Sequence, residues 1–168
     1  HCPIMDISIT SPNRGIREES LRQSLRAIDL ARELNSKLIV IHPGHRFSPL
    51  EALDTHWKNQ VDSITKILEY AQSQGVVAAI ENMDSDKEVV SVKHWADLER
   101  LFKDCGSTEK WVTLDVTHLR DTKSVLAFIA RAGKNIRHVH LSDGSKERMH
   151  LRIGQGELNL KQIISRLQ

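Results

Sequence analysis

Four short apolar runs recur along the chain at a nearly constant spacing, and each is followed by a side chain able to bind a metal ion. They cover residues 37–41, 76–80, 111–114 and 136–139, and the residues that follow are His42, Glu81, Asp115 and His140. Runs this short, three of them rich in valine and isoleucine, suit the buried strands of a parallel sheet. Between them, apolar residues return every three or four positions: Leu21, Leu25, Ile28, Ala31 and Leu34, then Val61, Ile64, Leu68 and Ala71, then Trp95, Leu98, Leu101 and Phe102. Each set marks one face of an amphipathic helix. Gly75, Gly106 and Gly133 stand where helices should close before a strand. The alternation is βαβαβα, an α/β domain.

The separations between the four strand-end residues are 39, 34 and 25, about 33 residues per βα unit, and eight such units make roughly 260 residues, the size of a (β/α)8 barrel. In an open sheet four consecutive strand ends stand in a row about 4.8 Å apart and cannot meet at one ion. A closed barrel turns them toward one axis. The 168 residues hold about five units. The expected architecture is therefore a single partial barrel domain over 1–168, lacking the first and eighth strands. Its unpaired strand edges invite association with another copy.

Composition narrows the function classes. Lys and Arg number 24 against 22 Asp and Glu, and aromatic residues make up 4%, so neither a broad basic surface nor stacking platforms support nucleic-acid binding. No apolar run approaches the roughly 18 residues of a membrane helix. Cys2 and Cys105 belong to no paired motif and are expected as free thiols, which suits a cytoplasmic location. A chain opening on His1, with no signal peptide, is expected not to begin at a native translation start.

Glu81, Asp115 and His140 offer two carboxylates and an imidazole, a set suited to Mn²⁺, Zn²⁺, Co²⁺ or Mg²⁺. Asp115 and His118 form D-x-x-H just past a strand, a spacing that turns both toward one site. His42 lies in H-P-G, where Pro43 and Gly44 enforce a sharp turn. His138, two residues before His140, shares its face and is expected as a hydrogen-bonded core residue. His45, His56 and His94 are expected at the surface. The glycine-bearing turn 153–157 offers backbone N–H groups to an anionic or polyhydroxyl ligand, with His150 just before it.

Taken together, H-C-P, H-P-G, I-E-N, L-D-x-x-H, H-x-H-L-S-D and H-L-x-I-G-Q-G-E resemble the xylose-isomerase-like TIM-barrel superfamily over nearly the whole chain. That superfamily holds sugar isomerases and epimerases and the endonuclease-IV-type apurinic endonucleases. The resemblance implies that Glu81, Asp115 and His140 are metal ligands, and that His118 binds substrate or a further ion. His1, His42 and His150 match positions that the endonuclease branch uses for additional zinc. Arg148 stands where that branch has an Asp ligand and Ile4 where it has a tyrosine, while the eighth-strand glutamate ligand that both branches carry has no counterpart among these residues.

The function expected from this resemblance is a divalent-metal-dependent isomerase or epimerase of a small sugar, sugar phosphate or polyol derivative. Glu81 would act as acid or base, and His42, His118 and His150 would bind substrate. The alternative enzyme is a zinc-dependent abasic-site endonuclease, for which Arg14, Arg17, Arg46, Lys146, Arg148 and Arg152 are the candidate phosphate contacts. A third reading is a non-catalytic barrel that binds a ligand.

Overall fold

The apolar runs form four parallel strands in sequential order, β1 Leu38–Ile41, β2 Val77–Glu81, β3 Val112–Asp115 and β4 Ile136–His140, in a computed structural model describing residues 1–168. Five helices alternate with them or follow: α1 Arg14–Glu33, α2 Leu53–Ser73, α3 Trp95–Asp104, α4 Thr122–Ala132 and α5 Leu160–Leu167. Asn13, Asp121 and Asn159 begin α1, α4 and α5 by accepting backbone N–H groups of the first turn. Gly75, Gly106 and Gly133 take positive φ at or just past helix ends, as their positions implied.

Alternate strand residues divide the sheet into two faces. Ile39, Ile41, Ala78, Ile80, Val112 and Leu114 pack into the core against Ile28, Ile64, Ile67, Leu98, Leu101 and Phe102 of the helices. Val40, Ala79, Thr113 and His138 share the opposite face with His42, Glu81, Asp115 and His140. Pairing runs Ile41↔Ile80 and Glu81↔Thr113, and a register shift at Val112/Thr113 brings Asp115 level with His140. That irregularity aligns two candidate ligands on neighbouring strands.

The architecture is an incomplete barrel with fewer strands than removal of the first and eighth alone would leave. His1 and Cys2 contribute one further rung, since the Cys2 N–H donates to Val40 O at 2.9 Å, in keeping with a strand tail. β4 is an edge strand. The His138 ring, expected to be hydrogen-bonded in the core, is instead exposed on this strand, and His138 is held through the backbone pairing of β4 with β3. Leu34 is also exposed, being the cap residue where α1 leaves the core. No helix is long and apolar enough to cross a membrane.

Candidate metal and substrate site

The four strand ends converge on Glu81, whose carboxylate is 2% exposed. Its Oε1 lies 3.2 Å from His140 Nδ1 and 3.6 Å from His118 Nδ1, while its Oε2 lies 3.1 Å from His42 Nε2 and 3.5 Å from His1 Nε2. Despite this crowding Oε2 is buried without a hydrogen-bond partner. The His42 ring nitrogen approaches it without hydrogen-bond alignment, an arrangement that suits two donor atoms sharing a third partner. Burial alone would raise the Glu81 pKa, but the imidazoles of His1 and His42 outweigh it and hold the carboxyl well below the usual carboxylate range. The same contact, opposed by burial and helped by the Cys2 carbonyl, raises the pKa of His1.

Asp115 divides its two oxygens between different tasks. Oδ1 accepts from Thr117 N at 2.9 Å, Thr117 Oγ1 at 2.8 Å and His118 N at 3.3 Å. This short turn folds the D-x-x-H segment back over the strand end. Oδ2 is left facing the site, 3.7 Å from His140 Nδ1 and 3.9 Å from His150 Nδ1. His150 is half-exposed, adopts φ 55°, and its Nδ1 lies 3.3 Å from Thr117 Oγ1. Such a backbone conformation is uncommon outside glycine and frequent at functional sites.

Three groups of potential ligand atoms result, each within 4.8 Å: Glu81, Asp115 and His140; His1, His42 and Glu81; Asp115, His118 and His150. All seven residues singled out in the sequence thus come together, with Glu81 and Asp115 shared between groups. Oxygen and imidazole donors around a buried carboxylate atom lacking a partner fit a divalent cation.

The H-P-G turn holds His42 as its sequence implied. Gly44 has φ 89°, and the buried Pro43 carbonyl accepts from Gln60 Nε2 at 2.8 Å. Other expectations fail. His56 is 1% exposed rather than on the surface. It faces Ser91 Oγ at 3.3 Å and Glu51 at 3.9 Å, beneath the loops that follow β1 and β2. His45 and His94 are exposed as expected. Arg46 is buried, its guanidinium donating to Pro49 O and Glu88 O, so it is withdrawn from any phosphate. Arg14 pairs with Glu18, and Arg17 with the Ser11 carbonyl.

The glycine turn near 154 also has a different occupant. Asp143, 2% exposed, accepts from Gly144 N at 2.8 Å, Gly154 N at 2.9 Å and Leu158 N at 3.3 Å. Burial would raise its pKa, yet backbone N–H groups, that of Gly156 foremost and then those of Gly144, Gly154 and Leu158, hold it below the usual range. In the turn 153–157 the Gly154 N–H is used by this internal carboxylate, and the Gln155 and Glu157 N–H groups by the Arg152 and Gly144 carbonyls, which closes the loop bearing His150. Asp143 was visible in H-L-S-D, but nothing local showed which N–H groups it would meet. Asn82, in I-E-N, likewise carries no local sign of its role, although it contacts both Asp115 and His118.

The whole chain, residues 1–168, matches the family described as the xylose isomerase-like TIM barrel. An uncharacterised protein of Methanocaldococcus jannaschii is 28% identical over 100% of this chain and 59% of its own length. The fructoselysine 3-epimerase of Shigella flexneri is 24% identical, covering 89% and 54%, and a probable endonuclease 4 of Malacoplasma penetrans 24%, covering 98% and 60%. Among solved structures, a D-tagatose 3-epimerase-like protein superposes with a TM-score of 0.82 at 25% identity, covering 99% of this chain and 64% of that one. The chain thus spans about three fifths of the length of the first relatives it matches.

Proposed function

Because the chain belongs to the xylose isomerase-like TIM-barrel family, we propose that it is a divalent-metal-dependent isomerase or epimerase acting on a small sugar, sugar phosphate or polyol derivative. The observation that carries the reading is the convergence of Glu81, Asp115 and His140, at the ends of β2, β3 and β4, on one point. A divalent ion held there supplies polarisation of a carbonyl and its neighbouring hydroxyl, which acidifies the adjacent C–H bond. Glu81, the carboxylate shared by two of the ligand groups, is the acid or base of this reading, taking up the substrate proton and returning it. His42, His118 and His150 surround the carboxylates with ring nitrogens placed to orient substrate hydroxyls. The epimerase names of one relative and one structural neighbour support the same substrate class.

A second reading, a zinc-dependent abasic-site endonuclease, is favoured by the two further ligand groups and by the endonuclease-like relative. Arg148 in place of an acidic ligand and the burial of Arg46 weigh against it. One sample loaded with Mn²⁺ or Co²⁺ decides between them, assayed against a panel of ketoses, ketose phosphates and inososes and against duplex DNA containing an abasic site. Sugar interconversion lost in Glu81→Gln is the expected result. Metal-dependent incision of the duplex, lost in the same variant, would replace the first reading by the second; inactivity on both would point to a ligand-binding barrel.

A further inference from the structure

We propose that Asn82 is the positioning residue of this site, fixing Asp115 through its side-chain amide and the proton of His118 through its backbone carbonyl. The inference deepens the reading of Asp115 and His118 as site residues and rests on it for its functional meaning, but its geometry stands separately.

The ladder between β2 and β3 ends at Glu81↔Thr113, and the next contact, Asn82 N to Thr113 O, is stretched to 3.4 Å. Beyond it the chain turns away, with Met83 N donating to Val92 O and Ser85 N to His118 O. Asp115 lies two residues past Thr113 and would be left without a neighbour on that side. The Asn82 side chain takes the place of the departed strand. Asp115 N donates to Asn82 Oδ1 at 2.8 Å, and Asn82 Nδ2 donates to Asp115 O at 3.2 Å. On the far side Val116 N donates to His140 O, so the peptides around Asp115 are held from both flanks.

Asn82 is fully buried, so water cannot substitute for either bond. The task needs one acceptor and one donor at the reach of two methylene-linked atoms, which a primary amide supplies and an ionised carboxylate does not. Leucine would offer neither, and an unmet buried N–H is costly.

The second contact acts on a ring. His118 Nδ1 lies 2.7 Å from Asn82 O. A carbonyl only accepts, so Nδ1 carries the proton and Nε2 is left with a free lone pair. That tautomer is the one able to bind an ion, or to accept a hydroxyl proton, through Nε2. One residue thus sets the backbone position of a carboxylate and the chemical form of an imidazole.

The test uses the full chain labelled with ¹⁵N and free of metal. In the wild type, the Asp115 amide is expected to exchange slowly and His118 to show the Nδ1–H tautomer. In Asn82→Ala, which removes the acceptor of the Asp115 N–H, exchange at Asp115 should quicken about 10- to 100-fold, the equivalent of one lost buried hydrogen bond, while amides in the middle of α2 stay unchanged; Asn82→Asp keeps an acceptor there and loses only the donor to Asp115 O. Mn²⁺ affinity, measured in parallel, should fall by about 10- to 100-fold. A wild-type His118 protonated at Nε2, or a wild-type Asp115 amide exchanging like an exposed loop, would overturn the proposal without any variant having to fold. So would an Asn82→Ala protein with wild-type protection at Asp115. A wild type that shows both signatures but binds no Mn²⁺ would sink the metal reading and leave the role of Asn82 intact.

Discussion

Replacing Gly44 by alanine should unfold the turn that presents His42, and the cost can be worked from two separate contacts. Gly44 has φ 89°, a conformation that L side chains rarely adopt, and the penalty there is about 1–2 kcal/mol. The added Cβ would also lie 2.5 Å from Thr10 Cγ2 and 3.1 Å from Thr10 Oγ1. Thr10 is fully buried and its hydroxyl donates to His45 O at 2.7 Å, so it has no free direction in which to move. Overpacking of this kind costs about 1–3 kcal/mol. Gly44→Ala is therefore expected to destabilise the protein by roughly 2–5 kcal/mol, read as a lowered urea midpoint at unchanged slope. Thr10→Ser removes Cγ2 and keeps the hydroxyl; alone it should cost about 1 kcal/mol. In the Gly44→Ala background it should restore about 1–2 kcal/mol, a coupling that a double-mutant cycle isolates. A loss below about 0.5 kcal/mol for Gly44→Ala, or no coupling to Thr10→Ser, would show that the turn relaxes freely and that the steric reasoning is wrong.

Two further outcomes are expected. Asp115→Ala should lower Mn²⁺ affinity by more than about 100-fold in titration calorimetry, since it removes a ligand oxygen together with the acceptor that orders Thr117 and His118; near-wild-type affinity would remove Asp115 from the ligand set. Burial pushes the His56 imidazole below its ordinary value of 6.5, with Glu51 opposing and Arg46 and His45 assisting. The folded state therefore resists a proton that the unfolded chain accepts, so this contribution to stability is complete above pH 6.5 and is lost as pH falls from there toward the folded value. Urea midpoints followed downward from about pH 7.5 should decline with a slope of up to about 1.4 kcal/mol per pH unit for this one proton. The decline should be shallower in His56→Gln, and an unchanged profile would assign it to other groups.

The local alternation of apolar runs and helical faces is written in residues close together in the chain, and strands and helices form where it places them. The same locality made the strand-end residues legible: a residue that follows a buried strand must emerge at the sheet's end, so His42, Glu81, Asp115 and His140 were found by position and chemistry alone. D-x-x-H was readable for the same reason, because Asp115 Oδ1 and the N–H groups of residues 117 and 118 meet within one turn. What sequence reading missed involves partners far apart in the chain. Asn82 meets Asp115 across 33 positions, and His56 meets Ser91 across 35. Asp143 takes backbone donors as distant as Leu158, 15 residues on. Each of these polar groups had a plausible life at the surface, and only the folding of one loop over another buried it and chose its partner. His138 erred in the opposite direction, since alternation fixes the face a side chain occupies but not whether a neighbour covers that face. Periodicity is a property of the chain; burial and pairing are properties of its surroundings, which the tertiary structure alone supplies.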